Sequence, residues 1–391
     1  MSQRMPRRIV VVGNGIAGLT AGDALRSAGF DGELTIVGEE RHAPYSRPAL
    51  SKSALLDDDE ITSHLLPEPS HGATEILGIK AVGLDTERRI VRLGDGTDVA
   101  YDGLVIASGS RARRLIAGGP ETRDSVELTL RGLDDATELR RRIADRPSVI
   151  VIGGGALGME VASGCAALGC EVTLVSRRDP LSALLGSSLS EIFVTAARSA
   201  GVTVLTSSSI SMTQRGGRAS VLLDDGTTLD AGLVVSAIGD VPNTEWLASS
   251  GLLTGGDLRV DARGRVRSDI VAAGDVAAFP TTRGVRRVPL WTSALEQAKV
   301  AGAALMHGDD AAELAFQPYF WTEQFGLALK ACGHLPVVGQ PTLVDGDPRE
   351  GRGLMTWTHA DGSGTAAALD YRIPVPKLRA LSRQAGSAAA A

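Results

Sequence analysis

One pattern constrains this chain more than any other: a strand, a glycine turn, a helix and a second strand occur twice, as IVVVGNGIAGLTAGDALRSAGFDGELTIVGEE at 9–40 and VIVIGGGALGMEVASGCAALGCEVTLVSRR at 149–178. The apolar runs 9–12 and 149–152 are rich in β-branched residues, as strands covered on both faces of a parallel sheet must be. The helices predicted over 17–28 and 157–168 are dense in alanine and leucine and stop before Gly29 and Gly169. The repeat continues further. Residues 91–93, a GDGT turn at 94–97 and a run over 101–107 into Ser108-Gly109 are matched by 219–223, a DDGT turn at 224–227 and 233–237 into Ile238-Gly239. Two βαβ units predict an α/β chain with two nucleotide-binding halves.

At 391 residues the chain exceeds the length at which one core keeps growing, so two or three domains are expected. After the second half come 259–261, 270–275 and a helix predicted over 293–306. From Gln317 the texture turns aromatic and strand-like, with Tyr319, Phe320, Trp321, Phe325 and Trp357, and a third domain is placed there. The tail QAGSAAAA after Arg383 is low in complexity and expected to fray.

A formal net charge of −6 argues against binding nucleic acid through a broad basic field. Only five of the 40 basic residues are lysines, so arginine carries nearly all positive charge. Cys165, Cys170 and Cys332 form an odd count without a C-x-x-C pair, which suggests neither a disulfide framework nor a zinc knuckle and makes the cytosol the natural compartment. The basic start MSQRMPRR leads into a short strand rather than a cleavable apolar region. No stretch approaches the roughly 20 apolar residues of a membrane span. The six histidines show no metal-binding spacing, so no metal is predicted. No G-x-S-x-G elbow of a hydrolase is present either.

In Gly13-Asn14-Gly15-Ile16-Ala17-Gly18 the glycines permit a tight turn, close approach of a pyrophosphate and close helix–strand contact, and the helix N-terminus stabilises phosphate charge. Glu39 ends the second strand, where an acid hydrogen-bonds a ribose hydroxyl. Gly153-Gly154-Gly155-Ala156-Leu157-Gly158 has the same context, but its second strand ends at Ser176-Arg177-Arg178. An acid there would repel a 2′-phosphate, whereas arginine binds one through a bidentate fork. NADPH is therefore expected in preference to NADH, the plain alternative being a solvated arginine pair. At 270–275 a strand again ends in a glycine and an acid, Gly274-Asp275; alone, such an acid serves as readily to cap a helix as to bind a ligand.

Together these motifs, with Ala107-Ser108-Gly109, RPALSK at 47–52, GGGALGME at 153–160, GDVPN at 239–243, ALEQA at 294–298 and FWTEQFG at 320–326, resemble the FAD-dependent ferredoxin reductases of the putidaredoxin and rubredoxin reductase type. These are members of the two-dinucleotide-fold flavoprotein superfamily. The resemblance spans essentially the whole chain. It implies two Rossmann-like domains, the first for FAD and the second for NAD(P)H, plus a smaller α+β C-terminal domain. The expected boundaries are 1–110 with 240–316 for FAD, 111–239 for the nucleotide, 317–383 for the third domain and 384–391 as a flexible tail.

Carried over by position, the resemblance implies that Asp275 binds the ribityl chain, Glu39 the adenosine ribose, and that Arg47 and Lys52 lie beside the flavin. Lys52 and Glu160 match a pair that approaches the reactive edge of the isoalloxazine, where a lysine stabilises the electron-rich reduced ring and must itself be paired. The helix from Ser293 would point its N-terminus at the pyrimidine edge. Trp321 and Gln324 match an aromatic loop near the flavin, and Trp291 precedes that helix; either tryptophan could instead fill a domain interface. The implied activity is electron transfer from NADPH (or NADH) through FAD to a 2Fe–2S ferredoxin, or a rubredoxin, that feeds an oxygenase such as a haem-thiolate monooxygenase. Arg283, Arg286, Arg287 and Lys330 are candidate contacts for an acidic ferredoxin, a solvated basic loop being an equal reading. Other readings are an NAD(P)H oxidase or quinone reductase, and a redox sensor similar to apoptosis-inducing factor. Either a monomer or a homodimer is compatible with one chain.

The chain departs from the family at Ala156, where a bulky aromatic is usual, which is expected to widen the nicotinamide pocket, and at A-S-G for A-T-G. The segment His42-Ala43-Pro44-Tyr45-Ser46 holds no cysteine, so disulfide reduction is not expected.

Overall fold

The computed structural model describes residues 6–56, 64–116, 125–315 and 317–387. The chain packs into two compact units, Met1–Ser46 with Leu65–Arg111 and Val241–Pro318, and Arg47–His64 with Ala112–Asp240 and Tyr319–Ala391.

The first unit is built on a six-stranded sheet in the order Arg265–Arg267, Ile270–Ala272, Gly103–Ile106, Arg8–Val12, Glu33–Gly38, Thr74–Leu77. All its pairings are parallel except that of Arg265–Arg267 with Ile270–Ala272. Alternate residues of the central strands feed two cores. Ile9, Val11, Ile36, Val105 and Val271 pack with Ala21 and Leu25 of helix Ile16–Ser27 and with Ala298, Ala301 and Leu305 of helix Trp291–His307. Val10, Val12, Leu104, Ile106 and Ile270 pack on the other face with Val91, Leu93, Trp246 and Phe279. Burial on both faces explains why these strands read as continuous apolar runs. A Cβ on Gly302 would sit 2.9 Å from that of Ala24, so the two helices lie closer than larger residues would allow.

The helix expected from Ser293 begins at Trp291, with Leu290 extended before it and no side-chain cap. Serine favours the cap position in sequence, but Ser293 lies inside the first turn, and Trp291 opens the helix rather than preceding it.

The second unit holds a five-stranded parallel sheet in the order Thr203–Thr206, Glu171–Ser176, Ser148–Ile152, Leu233–Ser236, Glu127–Leu128. Helix Ala156–Ala167 follows the central strand, and an antiparallel meander, Ile210–Arg215, Arg218–Leu223, Thr228–Ala231, covers the sheet through Val221 and Leu223. The first unit has its own meander in Ala81–Asp85, Ile90–Leu93 and Asp98–Ala100, so the repeat is structural as well as sequential. The second unit also contains an antiparallel sheet in the order Tyr319–Gln324, Leu327–Gly333, Gly364–Leu369, Arg352–Thr358, Thr342–Asp347. Helix Val375–Ser387 packs on it through Leu378. That helix continues past Arg383, where fraying was expected from composition, because Gly386 is buried against Gly362 and Gly364; residues 388–391 lie outside the described ones.

Candidate dinucleotide and redox sites

In the first unit the glycine turn is shaped by close backbone approach. A Cβ on Gly13, whose φ is +121°, would fall 2.0 Å from the carbonyl oxygen of Ala107, and one on Gly18 would fall 1.8 Å from that of Gly13. Gly15 is extended and caps helix Ile16–Ser27 without a side-chain bond, and a Cβ there would meet nothing within 4 Å. The first two glycine roles are internal packing; the third leaves backbone open to an incoming group. Gly274, at φ +80°, brings the first turns of two helices together: its Cβ would lie 2.9 Å from Ala17 and 3.8 Å from Ala294. Its N–H donates to Gln297 Oε1 at 2.9 Å.

The half-buried Asp275 accepts from Ser110 Oγ at 3.4 Å, and its main-chain carbonyl accepts from Arg287 at 2.9 Å. The Ala107-Ser108-Gly109 turn is locked by Asn243: Ser108 Oγ donates to the Asn243 carbonyl at 2.8 Å, and Asn243 Nδ2 returns to the Ser108 carbonyl at 2.9 Å. Glu39 follows the end of strand Glu33–Gly38 and is exposed.

Around this turn two side chains are left without partners. Both polar atoms of the Asn14 carboxamide and the hydroxyl of Ser293 are buried and meet no hydrogen-bonding group. An orphaned buried polar group costs about 1–3 kcal/mol, so it marks a place where a polar ligand completes the structure. With the opening at Gly15 and two converging helix N-termini, the residues fit a dinucleotide carrying a pyrophosphate and several hydroxyls.

The second unit repeats the construction. A Cβ on Gly153, at φ +118°, would lie 2.2 Å from the Ala237 carbonyl oxygen, one on Gly158 would lie 1.9 Å from that of Gly153, and one on Gly155 would meet nothing within 4 Å. Ala156 and Leu157 open the helix after it. Gly239 also has open space about it, at φ +101°, and its carbonyl accepts from Arg113 N–H at 2.9 Å. Ser176 is buried and donates to the Arg178 carbonyl at 2.6 Å, while Arg177 and Arg178 are exposed. The serine thus shapes the turn and the two guanidinium groups face solvent.

Also in the second unit, Lys52 and Glu160 form an ion pair at 2.9 Å with side chains only 15% and 5% exposed. Ser51 Oγ donates to the same carboxylate oxygen, and Thr322 Oγ1 donates to Oε1 at 2.6 Å. Lys52 also reaches the Pro48 carbonyl at 3.3 Å and stands 5.9 Å from the centre of the Trp321 ring, which stacks on Tyr319. Three donors and a neighbouring ring hold a buried carboxylate and lysine in one geometry, which is what a buried charge pair requires. Gln324 Nε2 extends the network by donating to Thr322 Oγ1 at 3.1 Å.

The sequence reading singled out Lys52 and Glu160, and the structure brings them into contact. It had not assigned Ser51, Thr322, Asn14, Ser293 or Asn243. Four of them lie inside the motifs and Ser293 at the start of the predicted helix, but short polar residues give no periodic signal that separates a ligand from a turn. Arg47 donates to the Arg131 carbonyl at 2.9 Å. Among the basic residues, Arg286 and Lys330 are exposed, whereas Arg287 is held by its bond to Asp275. All three cysteines are buried thiols; Cys165 is pushed up by its hydrogen bond with Cys170 and by burial. No helix among the described residues is long and apolar enough to cross a membrane.

Comparison with known proteins places this geometry. The model of the pyridine nucleotide-disulphide oxidoreductase family matches residues 7–298. The ferredoxin--NAD(+) reductase component of the anthranilate 1,2-dioxygenase system of Burkholderia cepacia is 37% identical over 373 residues, covering 92% of this chain and 89% of that protein. Rhodocoxin reductase of Rhodococcus erythropolis is 34% identical, covering 83% of this chain and 78% of that protein. Among solved structures, the covalent putidaredoxin reductase–putidaredoxin complex contains a chain that superposes with a TM-score of 0.86 at 27% identity, over 97% of this chain and 93% of that one.

Proposed function

The chain belongs to the pyridine nucleotide-disulphide oxidoreductase family, and from that premise we propose that it is an FAD-dependent NAD(P)H:ferredoxin oxidoreductase. It takes electrons from NADPH in preference to NADH and passes them to a 2Fe–2S ferredoxin that serves an oxygenase. The observation that carries this reading is that one chain builds two dinucleotide cradles, at Gly15 and at Gly155, together with a buried Lys52–Glu160 pair.

When bound, FAD would supply the chemistry that side chains lack, coupling a two-electron donor to a one-electron acceptor. Gly15, Ile16, Ala17 and the first turn of their helix receive the pyrophosphate. Glu39 holds the adenosine ribose and Asp275 the ribityl chain. Lys52, fixed by Glu160, supplies positive charge for the electron-rich reduced ring. Gly155, Ala156 and Leu157 receive the nicotinamide nucleotide, and Arg177 and Arg178 its 2′-phosphate. Trp291 and Trp321 shield the ring. No side chain serves as acid or base; the protein positions and polarises. The FAD domain at 1–110 with 240–316, the nucleotide domain at 111–239, the third domain from 317 and a cytosolic location belong to the same reading.

The acceptor class follows the relatives, which are named as ferredoxin--NAD(+) reductase components and rhodocoxin reductase. Those names favour NAD(H), and the choice of NADPH rests on the arginine pair alone. Ferredoxin-dependent reduction of cytochrome c by NADPH tests the whole. Rapid reduction only when a 2Fe–2S ferredoxin is present supports it. Rapid oxygen consumption that ignores ferredoxin would replace it with an NAD(P)H oxidase.

A further inference from the structure

The hydrogen bonds around Glu160 have directions that the chemistry of the groups dictates. A carboxylate only accepts, so Thr322 Oγ1, 2.6 Å from Glu160 Oε1, is the donor there. Its single O–H is thereby used, and toward Gln324, 3.1 Å away, the same oxygen acts as acceptor. The Gln324 amide must therefore turn its nitrogen to Thr322; a flipped amide would set two lone pairs against each other. That orientation leaves Gln324 Oε1 directed away from the relay as an acceptor. It is buried, the residue being 3% exposed, and meets no donor.

The place of this orphan matters. Strand Tyr319–Gln324 is tied to helix Ala156–Ala167 by Thr322 to Glu160 and, just beyond the strand, by Phe325 N–H to Ser163 Oγ at 2.7 Å. The same helix opens at the Gly155 cradle, one turn before Glu160. An unsatisfied acceptor beside a buried charge pair, on a strand tied to the helix that the Gly155 cradle opens, calls for a donor from a ligand. Phosphates only accept, whereas the planar rings of the redox groups carry N–H donors.

We propose that Gln324 Oε1 is a binding acceptor for an amide-type N–H, contributed by the carboxamide of the nicotinamide or by the imide N3–H of the isoalloxazine. Thr322 is the positioning residue that fixes which end of the Gln324 amide faces the ligand. The inference rests on the proposed function and names which of its groups this side chain reads.

The test compares wild type with Gln324→Met in two equilibrium binding ratios, both read by fluorescence. One sets NADP+ and NAD+ against their nicotinic acid analogues, which carry a carboxylate in place of the carboxamide. The other sets FAD against N3-methyl-FAD on the apoprotein. Wild type is expected to favour the N–H-bearing partner about tenfold or more in one ratio, and Gln324→Met to bring that ratio close to one. Collapse of the nucleotide ratio identifies the carboxamide as the source; collapse of the flavin ratio identifies the imide. Both ratios unchanged in the variant overturn the proposal. Should Gln324→Met fail to fold, Thr322→Val reads the same ratios: it frees the amide to turn, so the affected ratio falls several-fold, and two unchanged ratios again overturn the proposal. A wild-type protein that binds neither nucleotide nor FAD would contradict the proposed function instead.

Discussion

A Cβ on Gly18, in the first turn of helix Ile16–Ser27, would lie 1.8 Å from the carbonyl oxygen of Gly13 in the turn before that helix. At Gly15, between them, the same atom would meet nothing within 4 Å. The two glycines of one motif therefore do different work. Gly18→Ala should prevent or severely weaken folding of the first unit, because the clash is with main chain. Gly15→Ala should fold with a melting temperature of the apoprotein close to wild type and bind FAD at least tenfold more weakly. Equal loss of apoprotein stability in both variants would contradict this division.

The Lys52–Glu160 pair predicts a particular stability pattern. Lys52→Met leaves a buried carboxylate with Ser51 and Thr322 alone, a loss of about 3 kcal/mol. The double variant Lys52→Met/Glu160→Leu should recover most of it, since no uncompensated charge remains. Denaturant melts of the three proteins check this. A double variant as unstable as the single one would show that packing, not charge, decides the site.

The proposed nucleotide preference rests on the exposed Arg177 and Arg178, so it can be tested without disturbing the core. Arg177→Glu should raise KM for NADPH at least tenfold and leave KM for NADH within about twofold, because only the first nucleotide carries the 2′-phosphate. Steady-state kinetics with both nucleotides measure it. Unchanged use of NADPH would assign the two arginines to solvent.

His71 gives the first unit a pH dependence. Its Nδ1 accepts from Ala73 N–H at 3.1 Å, while Nε2 is buried without a partner, so the ring is neutral in the folded protein. Burial pushes its pKa below the ordinary 6.5. The unfolded chain therefore takes up a proton that the folded chain resists, and the associated stability is full above about pH 6.5 and drains as the pH falls toward the folded value. Thermal melts between pH 7 and pH 5 should show this decline, and His71→Asn, which keeps an acceptor for Ala73, should flatten it. An equal slope in the variant would assign the decline to other groups.

Much of this architecture was legible because both halves advertise themselves. The strands at 9–12 and 149–152 are buried on both faces and so are apolar throughout, and each is followed by a turn that only glycine can make. Lys52 and Glu160 stood out as chemistry-bearing residues in a resemblance, but 108 positions separate them, and only folding shows that Ser51 and Thr322 complete their shell. Asn14 and Ser293 were invisible for a different reason: their significance is the absence of a partner, which sequence cannot record. The helix begins at Trp291, two residues before the start expected from sequence, because its N-cap is the extended Leu290, a residue type that carries no capping signature.

Anaerobic stopped-flow on the flavin-loaded protein shows whether electrons pass from nucleotide through flavin to ferredoxin. Flavin absorbance is followed on mixing with NADPH and, separately, NADH, and oxidised 2Fe–2S ferredoxin is then added to the reduced enzyme. Rapid bleaching is expected, faster with NADPH, followed by rapid recovery of the yellow form on adding ferredoxin. Bleaching with no response to ferredoxin would contradict the reductase, and a purified protein that neither retains nor takes up FAD would contradict the account from its foundation.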